Sequence, residues 1–275
     1  MNGTTTLLKS HMAQILVFVF IIITGWWITI KPFNHDLFND EKHLWTASYV
    51  LISFLGSVFG LMISGYWGGY KSTLGRSILA LSIGLLLQTF GQLVYNFYTL
   101  IQHIEAPYPS LGDLGYFGSI PAYIYGVVLL GHGAGLRFSL KSFKTKMLAV
   151  LLPTLMLGFS YYLYLLSYEF DRSSPLTVLL DFGYPLGQAI YVSVALLILL
   201  SSSKLLGGVM RKPILLLLIA LLAQYIADFT FLYLAHQNAW YAGGIGDYLF
   251  AVSYTLMALA LIYVGVSYNK ISNLK

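Results

Sequence analysis

Four aspartates, Asp113, Asp181, Asp228 and Asp247, lie inside or at the edge of long apolar stretches. A charge in lipid costs at least about 2.5 kcal/mol unless it faces a bundle interior, pairs, or is neutralised. No Lys or Arg lies in the middle of any such stretch. The chemistry open to these carboxylates is therefore hydrogen bonding to hydroxyls and amides, proton uptake, or capture of a cation or small ligand. Tyr184, Tyr225, Tyr254, Ser253, Gln92 and Asn96 are the candidate partners.

The four positions differ in what they imply. Ser110-x-x-Asp113 precedes an apolar run in the pattern of a capping box, with Ser110 as N-cap. A carboxylate in that first turn also complements the helix dipole. Asp247 has the same placement without the serine. Asp228 lies deeper. Pro213 suits the first turn of its helix, and fifteen residues at 1.5 Å put Asp228 about 22 Å into a roughly 30 Å core. Asp181 enters from the opposite side to about the same depth. Two readings of Asp228 stand: a ligand, proton or cation site, or a structural interhelical hydrogen bond.

Other residue types carry less. His35-Asp36, Asp40-Glu41 and His43 form a metal-capable set, but their spacing fits no rigid motif and reads as solvated loop. His103 and His236 fall in loops, and His132 near a helix end. The chain has no cysteine, which excludes disulfides, thiolate metal sites and a cysteine nucleophile. No P-loop, Ser-His-Asp arrangement or retinal-binding lysine stands out, and no metal or cofactor is expected. Trp26, Trp27, Trp45, Trp67 and Trp240 fit an interfacial aromatic belt.

The elements that must position these side chains are membrane helices. Of 275 residues, 58% are hydrophobic and 9% charged, against about 25% charged in soluble domains. Mean hydropathy is +0.76. About 20 apolar residues cross a bilayer, and eight stretches qualify: roughly 13–31, 44–67, 77–102, 113–136, 147–168, 176–203, 213–235 and 247–268. The first follows Lys9 without a cleavage site and reads as a retained span. Pro121, Pro153 and Pro185 lie inside spans.

Twelve of the 15 basic residues fall on one side of this topology, including Lys71, Arg76, Arg137, Lys204 and Lys270. The positive-inside rule then places both termini in the cytoplasm. The net charge of +5 thus reflects topology, not nucleic-acid binding. Short loops leave one membrane domain over 1–275.

Polar landmarks also recur at one offset. Gln92 and Gln224, like Asn96 and Asp228, are 132 apart; His103 and His236 are 133 apart; Asp113 and Asp247 are 134 apart; Tyr49 and Tyr184 are 135 apart. This predicts two parallel four-span repeats, approximately 13–136 and 147–268. The expected fold is all-α, with eight transmembrane helices.

Pro107-Tyr-Pro-Ser-Leu-Gly-Asp113-Leu-Gly-Tyr116 resembles the "P-Y-P-S-x-A-D-x-x-Y" opening of a span in multi-pass sensor domains. Those domains precede diguanylate cyclase, phosphodiesterase and histidine kinase modules in bacteria and archaea. Tyr184-Pro-Leu-Gly-Gln188, Ala227-Asp228-Phe229, Gly246-Asp247-Tyr248 and Tyr254 are similar to later stretches of that family. Ile120-Pro121 and Gln188 depart from its usual Tyr-Pro pair and Asp. The output module is missing, so the resemblance implies a stand-alone receptor-like domain that signals through a cytoplasmic partner.

It would bind a small hydrophobic ligand, a lipid or a cation in an outward-facing polar cleft. That cleft would be formed by Asp113, Asp181, Tyr184, Gln92, Asn96, Asp228, Asp247 and Tyr254, in a multi-pass protein of a prokaryotic plasma membrane. A looser resemblance joins Gly112-Asp113, His132 and Asp228 to eight-span lysoplasmalogenase-type enzymes. It implies acid–base hydrolysis of a lipid by Asp113 and Asp228. The repeat also admits a small-molecule or ion transporter.

Overall fold

A computed structural model describes residues 7–30, 32–33, 40–133, 143–162, 174–201, 209–237 and 239–272. All regular structure among them is helical. The helices are α1 (His11–Thr29), α2 (Asp40–Ser48), α3 (Val50–Tyr66), α4 (Thr73–Asn96), α5 (Leu111–Gly133), α6 (Phe143–Ser160), α7 (Pro175–Ser201), α8 (Arg211–His236) and α9 (Ile245–Ser272). Helices α2 and α3 run on through Tyr49, and α4 ends in a wider π-type turn, Phe97–Ile101.

Seven helical segments are long and apolar enough to cross a membrane: His11–Thr29, Asp40–Tyr66, Thr73–Ile101, Leu111–Gly133, Pro175–Leu199, Arg211–Ala235 and Ile245–Ser272. The expected fifth span corresponds to α6, which carries the shorter apolar stretch Val150–Phe159. The expected far end of that span, 163–168, lies outside the described residues. So do His35, Asp36, Arg137 and Lys204. Pro121, Pro153 and Pro185 all sit inside continuous helices.

Six helices close into a ring in the order α3, α4, α5, α7, α8, α9 and back to α3. Helix α1 packs outside it on α9 and α3, and α6 packs on α7. The surface of this bundle is apolar, and polar side chains are buried within its largely hydrophobic core. Phe18, Ile21, Leu93, Leu114, Leu179 and Ile226 are exposed on its surface. Ser53, Ser57, Ser82, Gln88, Gln92, Gln188 and Gln224 are buried inside it. That pattern is what lipid demands, since the hydrocarbon offers no partner to a polar group.

Small residues let the helices approach closely. A Cβ on Gly115 of α5 would collide with the Leu87 carbonyl oxygen of α4 and stand 2.6 Å from the Gly91 nitrogen. On the α3–α9 contact, a Cβ on Gly56 would stand 2.6 Å from the Ala258 methyl carbon. On the α5–α7 contact, one on Gly183 would stand 2.7 Å from the Phe117 ring. Serine hydroxyls add cross-ties. Ser64 donates to the Gly75 carbonyl at 2.9 Å and Ser77 to the Gly126 carbonyl at 2.7 Å.

Candidate functional site

The capping box predicted at Ser110 forms. The Ser110 amide donates to Asp113 Oδ2 at 2.7 Å, and the Gly112 amide donates to Ser110 Oγ at 3.1 Å. This fixes the first turn of α5 and leaves Asp113 Oδ1 facing α7, where it accepts the Tyr184 hydroxyl at 2.8 Å. Just ahead of α5, the Tyr108 hydroxyl donates to Asp181 Oδ1 of α7 at 2.7 Å. Each side of this junction thus supplies one tyrosine and one aspartate. The Phe117 ring meets the Tyr184 ring edge-on, with centroids 5.4 Å apart, and holds it in place. Tyr108 is 52% exposed, while Asp113, Asp181 and Tyr184 are half-buried.

A second junction joins the start of α9 to α2 and α3. Asp247 Oδ2 accepts the Thr46 hydroxyl at 2.9 Å and the Gly243 amide at 2.8 Å. The same amide lies 3.0 Å from Thr46 Oγ1. The Tyr49 hydroxyl, one turn along from Thr46, donates to Gln92 Oε1 at 2.8 Å. Gly243 has φ of +71°, a conformation that costs other residues about 1–2 kcal/mol.

This junction is buried, with Asp247 3% and Thr46 1% exposed. Helix α1 caps it. The Trp27 indole N–H donates to the Gly243 carbonyl at 3.0 Å, and its ring stacks on Tyr248 at 4.1 Å. Lys42 is buried on α2 with its ammonium 5.3 Å from the Tyr241 ring centroid, a cation–π contact.

The two junctions correspond position by position. Tyr108 and Gly243 are 135 residues apart, Asp113 and Asp247 134, Thr46 and Asp181 135, and Tyr49 and Tyr184 135. Each joins parallel helices, and the two contacts occupy opposite places in the ring.

Between the junctions the ring interior carries amide-centred clusters. On α4, Gln92 Nε2 donates to Asn96 Oδ1 at 3.1 Å, while Gln92 Oε1 accepts Tyr49 at 2.8 Å and Tyr116 at 2.9 Å. One turn deeper, Gln88 Nε2 donates to Ser119 Oγ at 2.8 Å and Gln88 Oε1 accepts Tyr254 at 3.0 Å. On α8, Gln224 Nε2 donates to Asp228 Oδ1 at 3.0 Å, Tyr191 of α7 donates to Asp228 Oδ2 at 3.2 Å, and Ser253 of α9 donates to Gln224 Oε1 at 2.9 Å.

The sequence-predicted residues are therefore distributed over several clusters. Asp113 joins Tyr184, Asp181 joins Tyr108, Gln92 joins Asn96, and Tyr254 joins Gln88. Asp228 and Asp247 stand in separate groups with no mutual hydrogen bond. Of the partners expected for Asp228, none bonds to it directly; Ser253 reaches it through Gln224. Sequence reasoning missed Tyr191, Tyr108, Tyr116, Gln88, Thr46 and Gly243. Gln88 carried a signal, standing one helical turn from Gln92 on the same face, and Tyr108 and Tyr116 lie within the Pro107–Tyr116 motif.

Chemically, the described partners of Asp113, Asp228 and Asp247 are hydroxyls, amides and backbone N–H groups. Such sets hold a carboxylate in place and leave it able to exchange a partner for a ligand or proton.

The apolar surface, the buried polar clusters and the long apolar helices define a multi-pass helical membrane protein. Comparison with protein-family models, curated proteins and solved structures found no match.

Proposed function

We propose that this chain is a receptor-type membrane domain that binds a small hydrophobic ligand, a lipid or a cation in an outward-facing polar cleft. It then signals through a separate cytoplasmic partner. The observation that carries this reading is the contrast between the two corresponding junctions. Around Asp247 the hydrogen bonds are buried and capped by Trp27. Around Asp113 and Asp181 the same positions are half-exposed, with Tyr108 mostly outside. A ligand headgroup that displaced the Tyr108 or Tyr184 hydroxyl would move α7 relative to α5, and the ring would carry that shift to the far end of the bundle.

The equal offsets and the opposite placement of the two junctions support a duplication of four spans, with α6 as the fifth of eight. In this reading both termini lie on the cytoplasmic side with the basic loops, in a prokaryotic plasma membrane. In this scheme Gln92, Asn96, Asp247 and Tyr254 brace the cleft, and Asp113, Asp181 and Tyr184 face its contents.

The test is native mass spectrometry of protein extracted gently from its own membrane, beside Tyr184→Phe and Thr46→Val. A bound small molecule or lipid that is lost in Tyr184→Phe and kept in Thr46→Val, with a cytoplasmic subunit co-purifying, supports the receptor. A solitary protein that turns over a lipid, with turnover abolished in Asp228→Asn, replaces this reading with a lipid hydrolase.

A further inference from the structure

The i,i+4 pairs Gln92–Asn96 and Gln224–Asp228 make the same bond at 3.1 and 3.0 Å, yet one ends in a neutral amide and the other in an acid. Every other difference between them follows from that exchange. The Gln92 carbonyl is filled by two tyrosine hydroxyls, and its cluster is complete. The Gln224 carbonyl takes one serine, and the tyrosine of its cluster goes to the acid.

Among the described residues no positive group compensates Asp228. Its carboxylate accepts from Gln224 of its own helix and Tyr191 of α7, and Tyr116 and Tyr123 of α5 and Tyr254 of α9 are the further titratable groups that feel its charge. No Lys, Arg or His faces it among the described residues. The Tyr123 hydroxyl of α5 is buried without a hydrogen-bond partner on a side chain 1% exposed, and its ring meets the Tyr191 ring edge-on at 5.9 Å. A buried orphan hydroxyl costs about 1–3 kcal/mol and marks a second arrangement or a small ligand.

We propose that Asp228 is a reversible proton-binding site inside the helix ring, with Tyr191 and Tyr123 as the hydroxyls that rearrange around it. In the ionised state Tyr191 donates to Oδ2, as seen. Uptake of a proton from water converts carboxylate to carboxylic acid, and the new O–H donates to the Tyr191 oxygen. The Tyr191 proton then turns away from Oδ2, and a side-chain shift brings the Tyr123 oxygen, unpartnered in the ionised arrangement, within reach as its acceptor. A proton fits better than a metal ion, because both carboxylate oxygens and the Gln224 carbonyl are already engaged. This site stands apart from the Asp113 junction and does not depend on what that junction binds.

The test is infrared difference spectroscopy of the full chain in liposomes, titrated from about pH 4 to about pH 9 in sodium-free and sodium-containing buffer. The expected result is a protonated-carboxyl band that titrates, is lost in Asp228→Asn and persists in Asp247→Asn. Tyr123→Phe should keep the band and shift its midpoint by roughly one pH unit, which also covers the case in which Asp228→Asn does not fold. A band set unchanged by Asp228→Asn, a band that does not titrate, or one that moves with sodium at fixed pH overturns the assignment.

Discussion

Tyr184 and Asp113 face each other across two parallel helices, the hydroxyl donating to Oδ1 at 2.8 Å, while Asp113 Oδ2 is tied to its own N-terminal turn. One carboxylate therefore sets a helix end and the helix–helix distance together. Tyr184→Phe and Asp113→Asn should each destabilise the protein, and the double variant by less than the sum. The coupling expected is about 0.6–1.5 kcal/mol, in the range for interhelical hydrogen bonds in membranes. Unfolding in mixed micelles measures it; strict additivity would mean the two side chains do not cooperate.

The α4–α5 contact depends on the absence of a side chain at Gly115. Gly115→Ala drives a methyl group into the α4 backbone at Leu87 and Gly91. A loss of about 1–3 kcal/mol is expected, the usual cost of overpacking. Gly158→Ala on α6 meets nothing within 4 Å and serves as the neutral control. Equal melting temperatures for the two variants would contradict the close approach.

At the buried junction, Thr46→Val removes a donor from a carboxylate that is 3% exposed. Leaving that acceptor short of a partner should cost about 1–3 kcal/mol. Gly243→Ala should cost about 1–2 kcal/mol through its positive φ. Both are expected to lower thermal stability without changing ligand occupancy at the Asp113 junction. Loss of ligand with unchanged stability would reverse the roles given to the two junctions.

The chain has no cysteine, so single cysteines report its orientation directly. Gln102→Cys, in the exposed connection before α5, should react with a membrane-impermeant maleimide on intact cells. Lys71→Cys and Lys270→Cys, both at exposed positions, should react only after permeabilisation. The opposite pattern would invert the proposed topology.

Much of the helix content was legible because lipid imposes a simple code: long apolar runs, and basic residues gathered in alternate loops. The capping box at Ser110 was legible because both of its bonds are local. The site was legible in parts. Asp113 and Tyr184 were both named, but not as a pair, since nothing local ties residues 71 apart.

Tyr191 went unnoticed because a tyrosine among leucines and valines looks like packing until its hydroxyl finds Asp228. Gly243 went unnoticed because a donor on the backbone leaves no trace in residue type. The burial of Lys42 was hidden for a related reason. Its place beside Tyr241 depends on how a distant loop folds back over α2.

Trp27 has a consequence for stoichiometry. If the two halves arose from one unit, each once carried the same junction, and the molecule had two equal places for a ligand. Helix α1 lays its tryptophan across Gly243 and Tyr248, which in that scheme closes one of them and leaves a valency of one. In the proposed receptor, Trp27→Ala would then do more than weaken a contact: it would restore a second, weaker occupancy.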